Sequence, residues 1–244
     1  METVISWDIG LKNLSYCILG NNSEDEPLTK HNFSVIDWDL IDLYPEDKEE
    51  VFKCIGLTKK KTVCGKKASY ICKDEYYCKT HSLKDRKEIK KKKKIKRKPF
   101  EYALRIKNEL DKRPELHKVN TVLIENQPAL MNPIMKTVQM IIFSYFSFKH
   151  SEENPIIVKN INAKMKEKLP DKDLEWKESK YCKHYLERIE KVKNKYSRRK
   201  LLCLEYAKLC LETAPGLQDF LETHKKQDDL TDSFLMSTDW LLRK

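Results

Sequence analysis

Four carboxylates stand where a chain rarely places them. Asp8 ends the apolar run Thr3, Val4, Ile5, Ser6 and Trp7. Glu125 ends a second apolar run, residues 119 to 124, and is followed at once by polar residues and two prolines. Towards the end of the chain, "KKQDDLTDSFL" sets Asp229 and Asp232 three residues apart, hence on one helical face. Asp228 is their neighbour, turned about 100° from Asp229 on the same helix. Capping and dipole compensation at a helix N-terminus account for one or two acids. They do not account for Asp232 beside the apolar Phe234 and Leu235. Acids that border a core face are costly unless paired, and no histidine or arginine cluster in the chain offers itself as the partner. A hard divalent cation, Mg²⁺ or Mn²⁺, takes oxygen ligands of this kind. Two such ions roughly 4 Å apart activate water and stabilise the leaving oxygen in phosphodiester cleavage.

A second group of chemically competent residues lies between positions 54 and 81: Cys54, Cys64, Cys72, Cys78 and His81. Cys78 and His81 have the tight spacing of a zinc half-site, whereas Cys54 and Cys64 are more widely separated than usual. Five candidates compete for four positions. Cys72 falls in "SYICKDEYYC", which reads as a hairpin turning at residues 73 to 75, so it is assigned to a strand. The expected zinc ligands are Cys54, Cys64, Cys78 and His81. The alternative is a set of free thiols, but so small and polar a segment has too few apolar residues to fold without a staple. Cys17, Cys182, Cys203 and Cys210 read as small apolar fillers of strands or helices.

The elements that must hold these residues can be read from periodicity. Residues 3 to 8, 14 to 19 and part of 31 to 41 read as three strands with short links, an antiparallel meander. Residues 44 to 82 break that pattern. A helix is expected over 100 to 110, a strand over 119 to 124, and a helix from Pro133 to Phe148 with proline at a tolerated N-terminal position. A strand at 155 to 158 follows. Residues 160 to 213 read as mostly helical, with Ile189, Val192, Tyr196, Leu201, Leu204 and Leu209 at roughly helical spacing. Pro215 and Gly216 are expected to break the pattern before a last helix over 228 to 242. The fold class is therefore mixed α/β, a five-stranded sheet flanked by helices with an insert after the third strand. The expected division is residues 1–43 with 99–244 as the main domain, 44–83 as the cysteine-rich insert, and 84–98 as a basic linker or helix start.

The chain has 244 residues, 36% of them charged, and a net charge of +11. No apolar run approaches the roughly 18 to 20 residues of a membrane span. The first residues have no basic stretch ahead of an apolar one, so no signal peptide is expected, and thiols should stay reduced inside a cell. Residues 84 to 98 alone hold eleven Lys or Arg against two acids. A polyanion is one reading of that run; a solvated linker or a nuclear-import signal is the other.

"SWDIGLKNLSYCIL", "IENQPALMNPIMKTVQMIIFSYF" and "KKQDDLTDSFL" together resemble the Holliday junction resolvases of the RuvC superfamily, within the ribonuclease H-like nucleases, especially those of poxviruses and other large DNA viruses. The similarity runs from residue 4 to about residue 240, interrupted over 44 to 98. The middle stretch is the specific one: Ile124-Glu125-Asn126-Gln127-Pro128, then Asn132-Pro133, then Met135-Lys136. The resemblance implies a ribonuclease H-like sheet and a homodimer that nicks opposed strands of a four-way DNA junction in paired, symmetric cuts, in recombination, repair and concatemer processing. It implies Asp8, Glu125, Asp229 and Asp232 as catalytic ligands of two Mg²⁺ (or Mn²⁺) ions. Phosphate contacts are expected from Lys136, Lys225, Lys226, Arg198, Arg199 and Lys200, although for the last five a solvated helix surface would look the same. The zinc-bearing insert departs from the simpler poxvirus pattern. It is open to DNA binding, a structural role or protein docking. An intracellular viral protein, in a cytoplasmic factory or the nucleus, is the implied setting.

Three alternatives remain at this point. Another ribonuclease H-like nuclease, acting on other branched DNA or RNA–DNA hybrid, would carry the same acids. An ATP-binding protein of the actin–Hsp70 type also opens on Asp-x-Gly, but it needs several glycines for its phosphate loops and this chain has five in all. A non-catalytic zinc-bearing DNA-binding protein would be indifferent to loss of Glu125.

Overall fold

The computed structural model describes residues 2–21, 29, 32–45, 52–82, 90–91, 97–130, 132–162 and 164–243. The chain divides into two compact units, Met1–Leu43 with Pro99–Lys244, and Tyr44–Lys98. Most of the basic run over 84 to 98 lies outside the described residues.

In the larger unit, β1 (Thr3–Asp8), β2 (Asn13–Asn21) and β3 (Phe33–Asp42) form the antiparallel meander that short links dictate. In the smaller unit, β4 (Tyr70–Cys72) pairs with β5 (Glu75–Tyr77) and with β6 (Lys90–Lys91). The main domain resumes with α1 (Pro99–Asp111), β7 (Thr121–Glu125), α2 (Pro133–Ser147) and β8 (Ile157–Ile161). Both β1–β7 and β7–β8 pair in parallel, with α2 as the crossover between the last two strands. The order across the sheet is β3-β2-β1-β7-β8. This is the mixed five-stranded sheet flanked by helices that the ribonuclease H-like resemblance implies.

Six helices complete the unit: α3 (Leu169–Lys172), α4 (Leu174–Glu178), α5 (Lys180–Ile189), α6 (Lys195–Cys210), α7 (Pro215–Thr223) and α8 (Gln227–Leu241). Two expectations need correction. The helical spacing that runs across residues 185 to 211 is split between α5 and α6, because Asn194 caps α6 by accepting the Tyr196 N–H at 2.8 Å. Pro215 and Gly216 do not interrupt helix; they open α7, where proline at the first turn forfeits no hydrogen bond. Proline does the same at the start of α2, whose Asn132 cap accepts the Met135 N–H.

The core lies between the sheet and α8. Alternation along β1 turns Trp7 towards α2, where it meets Phe146 at 6.1 Å, and Ser6 towards α8. On α8, Leu230, Phe234 and Leu235 are fully buried, each contributing roughly 1.5 to 3 kcal/mol. Four buried serines line the contact. Ser6 donates to the Ser233 carbonyl, Ser15 and Ser233 share a hydrogen bond of 2.9 Å, and Ser237 reaches Ser6 at 2.9 Å. Small hydroxylated side chains let the helix axis approach the strands closely while satisfying each polar group. That close approach brings the carboxylates of α8 to the end of β1. Cys17, Cys182, Cys203 and Cys210 are all buried in this unit, as core fillers should be.

Candidate active site and candidate zinc centre

The parallel register pairs Trp7 with Ile124, so the next residues, Asp8 and Glu125, finish adjacent strands side by side. Period-two alternation gives both the same face as Ser6, the face covered by α8. Gly10 completes the turn after Asp8; a Cβ there would collide with the Asn13 carbonyl oxygen. Asp232 projects from the second turn of α8 into the same space. Burial pushes the Asp8 carboxyl well above the ordinary carboxylate range, reinforced by its hydrogen bond with Glu125 and by the charges of Glu125 and Asp232. Burial raises Asp232 as well. Asp229, one turn earlier, lies 3.9 Å from Lys226 and is raised by partial burial and by Asp228.

Lys166, which the sequence reading passed over, occupies the middle of this group. Its ammonium lies 2.9 Å from Asp232 Oδ2 and the side chain is only 5% exposed. Burial works against its charge, but Asp232, Asp8 and Glu125 outweigh that and hold its pKa above the usual lysine value. The expectation that the acids lack a protein partner is therefore corrected. Nothing in "KMKEK" marks Lys166 as different from its neighbours; only the packing of that turn against α6 and α8 buries it. Lys166, with a weaker contribution from Lys200 at Asp232, still leaves the half-buried Asp8, Glu125 and Asp232 in excess. That imbalance, together with an all-oxygen donor set, fits a divalent metal.

Asp228 takes another partner. It forms an ion pair with Lys200 of α6, which holds its pKa down against burial. α8 begins without a side-chain cap, but Asp228 and Asp229 both lie in its first turn, where acids offset the helix dipole, so only the capping half of that reading is corrected. The remaining basic candidates are placed as follows. Lys136 donates to Asn126 Oδ1 at 2.9 Å and to Gln139 Oε1 at 3.1 Å. Arg198 donates to the Val192 carbonyl, Arg199 pairs with Glu167, and Lys225 and Lys226 are exposed ahead of α8. Gln139, fully buried on α2, was also missed. It accepts the Gln127 N–H at 2.8 Å and donates to Asn160 Oδ1 at 2.5 Å. It thereby fixes the chain just beyond Glu125 between α2 and β8.

In the smaller unit, the ligand atoms of Cys54, Cys64, Cys78 and His81 all lie within 4.8 Å of one another. Cys54 Sγ is 3.3 Å and Cys78 Sγ 3.6 Å from His81 Nδ1, and Cys64 and Cys78 sulfurs are 3.9 Å apart. A tetrahedron with zinc's bond lengths has S–S edges of about 3.8 Å and S–N edges of about 3.6 Å. The donor set and its spacing fit zinc. Among the described residues this is the one cluster of at least three such donors that converges so tightly. Gly56 leaves the room: a Cβ there would lie 2.6 Å from His81 Cβ and Cγ. Burial works against the Cys78 thiolate, but the His81 and Thr80 backbone N–H groups outweigh it and hold the thiol down to about 6. Cys72 sits in β4, outside the cluster.

No protein-family model matches the chain. An uncharacterized protein of Acanthamoeba polyphaga mimivirus is 26% identical over 317 aligned positions, covering 98% of this chain and 74% of that protein. Among solved structures the chain is similar to the yeast mitochondrial Holliday junction resolvase Ydc2, at 13% identity and a TM-score of 0.47, over 98% of this chain and 78% of that one. It is similar also to the fowlpox virus Holliday junction resolvase, at 13% identity and a TM-score of 0.46, over 98% and 96%. The fowlpox resolvase in complex with substrate Holliday junction DNA gives 14% identity and a TM-score of 0.47, over the same shares.

Proposed function

We propose that this protein is a metal-dependent, structure-selective DNA endonuclease that resolves four-way junctions by paired symmetric nicks. The observation that carries the reading is the meeting of Asp8, Glu125 and Asp232 around the buried Lys166 at one end of the sheet. Asp8, Glu125, Asp229 and Asp232 would hold two Mg²⁺ or Mn²⁺ ions. When bound, the ions supply an activated water and charge stabilisation at the leaving oxygen.

The chain's own residues set the conditions for that chemistry. Asp8 and Glu125 are fixed by strands and Asp232 by a helix locked onto the serine seam, so only their side chains would have to draw together around a metal. Lys166 offsets the carboxylate charge and presents a cation where a scissile phosphate enters. Lys136, bound to Asn126 and Gln139, is held beside the segment that follows Glu125. Arg198, Arg199, Lys200, Lys225 and Lys226 would contact phosphates further out; Arg199 and Lys200 exchange their present carboxylate partners to do so.

Paired nicks require two active sites, hence the homodimer reading, and exposed apolar side chains on α1, on α2 and at the end of α2 are available to an interface. Phe100, Leu104, Met140 and Phe148 are all exposed there. Zinc, held by Cys54, Cys64, Cys78 and His81, would staple the inserted unit. No helix among the described residues is long and apolar enough to cross a membrane. We assign the protein to a large DNA virus, acting on replication and recombination intermediates in a cytoplasmic factory or the nucleus. A labelled immobile four-way junction tests the reading: metal-dependent, symmetric nicks are expected, and no cleavage with any divalent cation would contradict it.

A further inference from the structure

The net positive charge of the chain is carried by the inserted unit. Residues 44–98 hold 20 Lys and Arg against 8 Asp and Glu, a net charge of +12. All the rest of the chain holds 29 against 30. A nuclease unit with no net charge offers little general attraction to a polyanion. Affinity for a phosphate backbone grows with the number of cations presented to it.

Within the described part of this unit, one feature presents charge on a fixed frame. Residues 53 to 67 form a two-stranded ribbon, bridged between Lys53 and Lys67 and between Leu57 and Val63. Cys54 and Cys64, one on each strand, tie it to Cys78 and His81. Its tip is closed by the Thr58 N–H bonded to the Thr62 carbonyl at 2.8 Å and by paired threonine hydroxyls. Lys59, Lys60 and Lys61 fill that tip, all exposed. Lys61 has φ +59°, the left-handed region where glycine or asparagine is the ordinary choice. A lysine held there against local preference, in a row of three, points to use of the charge. No aromatic residue lies in the tip itself, residues 58 to 62, and in the rest of the unit Tyr76 stacks on Phe52 at 3.8 Å. A tip of lysines and threonines can contact a phosphate backbone but has no ring to stack on a base.

We infer that the ribbon tip carrying Lys59, Lys60 and Lys61 is a docking surface for the phosphate backbone of duplex DNA, and that the inserted unit supplies the electrostatic share of substrate affinity. The inference rests on the nuclease reading for the identity of the polyanion. Its test reads binding alone, so it fails separately from that reading. Full-length protein with zinc bound is titrated, without magnesium, against an immobile four-way junction and a plain duplex between about 50 and 200 mM salt. The Lys59→Ala/Lys60→Ala/Lys61→Ala variant is compared with wild type and with a charge-matched Lys172→Ala/Lys177→Ala/Lys183→Ala control. Unchanged zinc content and melting temperature show that the ribbon still folds.

Three lost phosphate contacts lower the salt slope by about 2.7, so across that range the tip variant's affinity falls about 40-fold less than wild type's. The effect is expected on both junction and duplex, with the control triple close to wild type. An unchanged slope in the tip variant overturns the inference. So does an equal loss in the control, which would make the effect one of overall charge. Failure of the wild-type protein to bind either DNA overturns it as well and points to an acidic protein partner.

Discussion

Lys166 Nζ lies 2.9 Å from Asp232 Oδ2, in a space that also receives Asp8 and Glu125. This buried cation is the nearest compensation for three half-buried carboxylates, with Lys200 acting on Asp232 from further away. Replacing Lys166 by Ala removes that compensation, a change of the kind that costs roughly 3 to 5 kcal/mol when one partner of a buried pair is removed. In calorimetry without divalent metal, Lys166→Ala is expected to melt well below wild type, and added Mg²⁺ to narrow the gap. An equal melting temperature without metal would mean that Lys166 carries no electrostatic duty. Junction cleavage is expected to fall at least about tenfold in the variant even at saturating Mg²⁺, corresponding to about 1.4 kcal/mol in the barrier.

The carboxylates give a pH dependence of definite sign. Asp8 and Asp232 are raised in the folded protein by burial and mutual charge. A group raised on folding contributes stability that is complete below its unfolded pKa, about 3.9 for aspartate, and is lost as pH rises through the folded value. Metal-free wild-type protein should therefore lose stability relative to Asp8→Asn as pH climbs from about 4 towards neutrality. At pH 7 the Asn variant is expected to be the more stable of the two, and excess Mg²⁺ to reverse the order. Parallel melting curves for the two proteins across pH would contradict this.

The candidate zinc centre allows ligands to be told from bystander. Native mass spectrometry is expected to find one zinc per chain in wild type and in Cys72→Ala, and none in Cys78→Ser or His81→Ala. Gly56→Ala should weaken or abolish binding without touching a ligand, because its methyl group occupies the place of the His81 ring. Zinc retained in Cys78→Ser would show that the four residues do not act as one site.

The serine seam is a packing device with a functional consequence. Ser6→Val or Ser233→Leu forces α8 away from β1 and overpacks a full core, at a cost of roughly 1 to 3 kcal/mol. Because Asp232 rides on α8, cleavage should fall further than stability explains. Ser233→Ala, which keeps the spacing, is expected to lose about 1 kcal/mol of hydrogen bonding and retain most activity. If Ser233→Leu cleaves as well as Ser233→Ala, the close approach of α8 is not what positions Asp232.

These elements differ in how far the chain announced them. Asp8 and Glu125 were legible because each closes an apolar run, and the two Asp of α8 because they fall three apart beside Phe234. The half-site of Cys78 and His81 was legible from spacing. Cys54 and Cys64 were less so, since a ribbon with a long tip separates them in sequence while bringing them together in space. Lys166 was silent: in a lysine-rich turn, burial is decided by which helices pack over it. Gln139 was equally silent, because a glutamine inside an apolar helix gives no hint of which backbone N–H it will accept. Pro215 misled, since proline is compatible with both the end of one helix and the start of the next.

The central claim is tested most directly by incubating the purified protein with a labelled immobile four-way junction, with and without Mg²⁺, alongside Asp8→Asn and Glu125→Gln. The expected result is paired, symmetric, Mg²⁺-dependent nicks by wild type, with cleavage abolished and junction binding kept in both variants. Tight junction binding with no cleavage by wild type in Mg²⁺ or Mn²⁺, or nicks that persist in both variants, would contradict it.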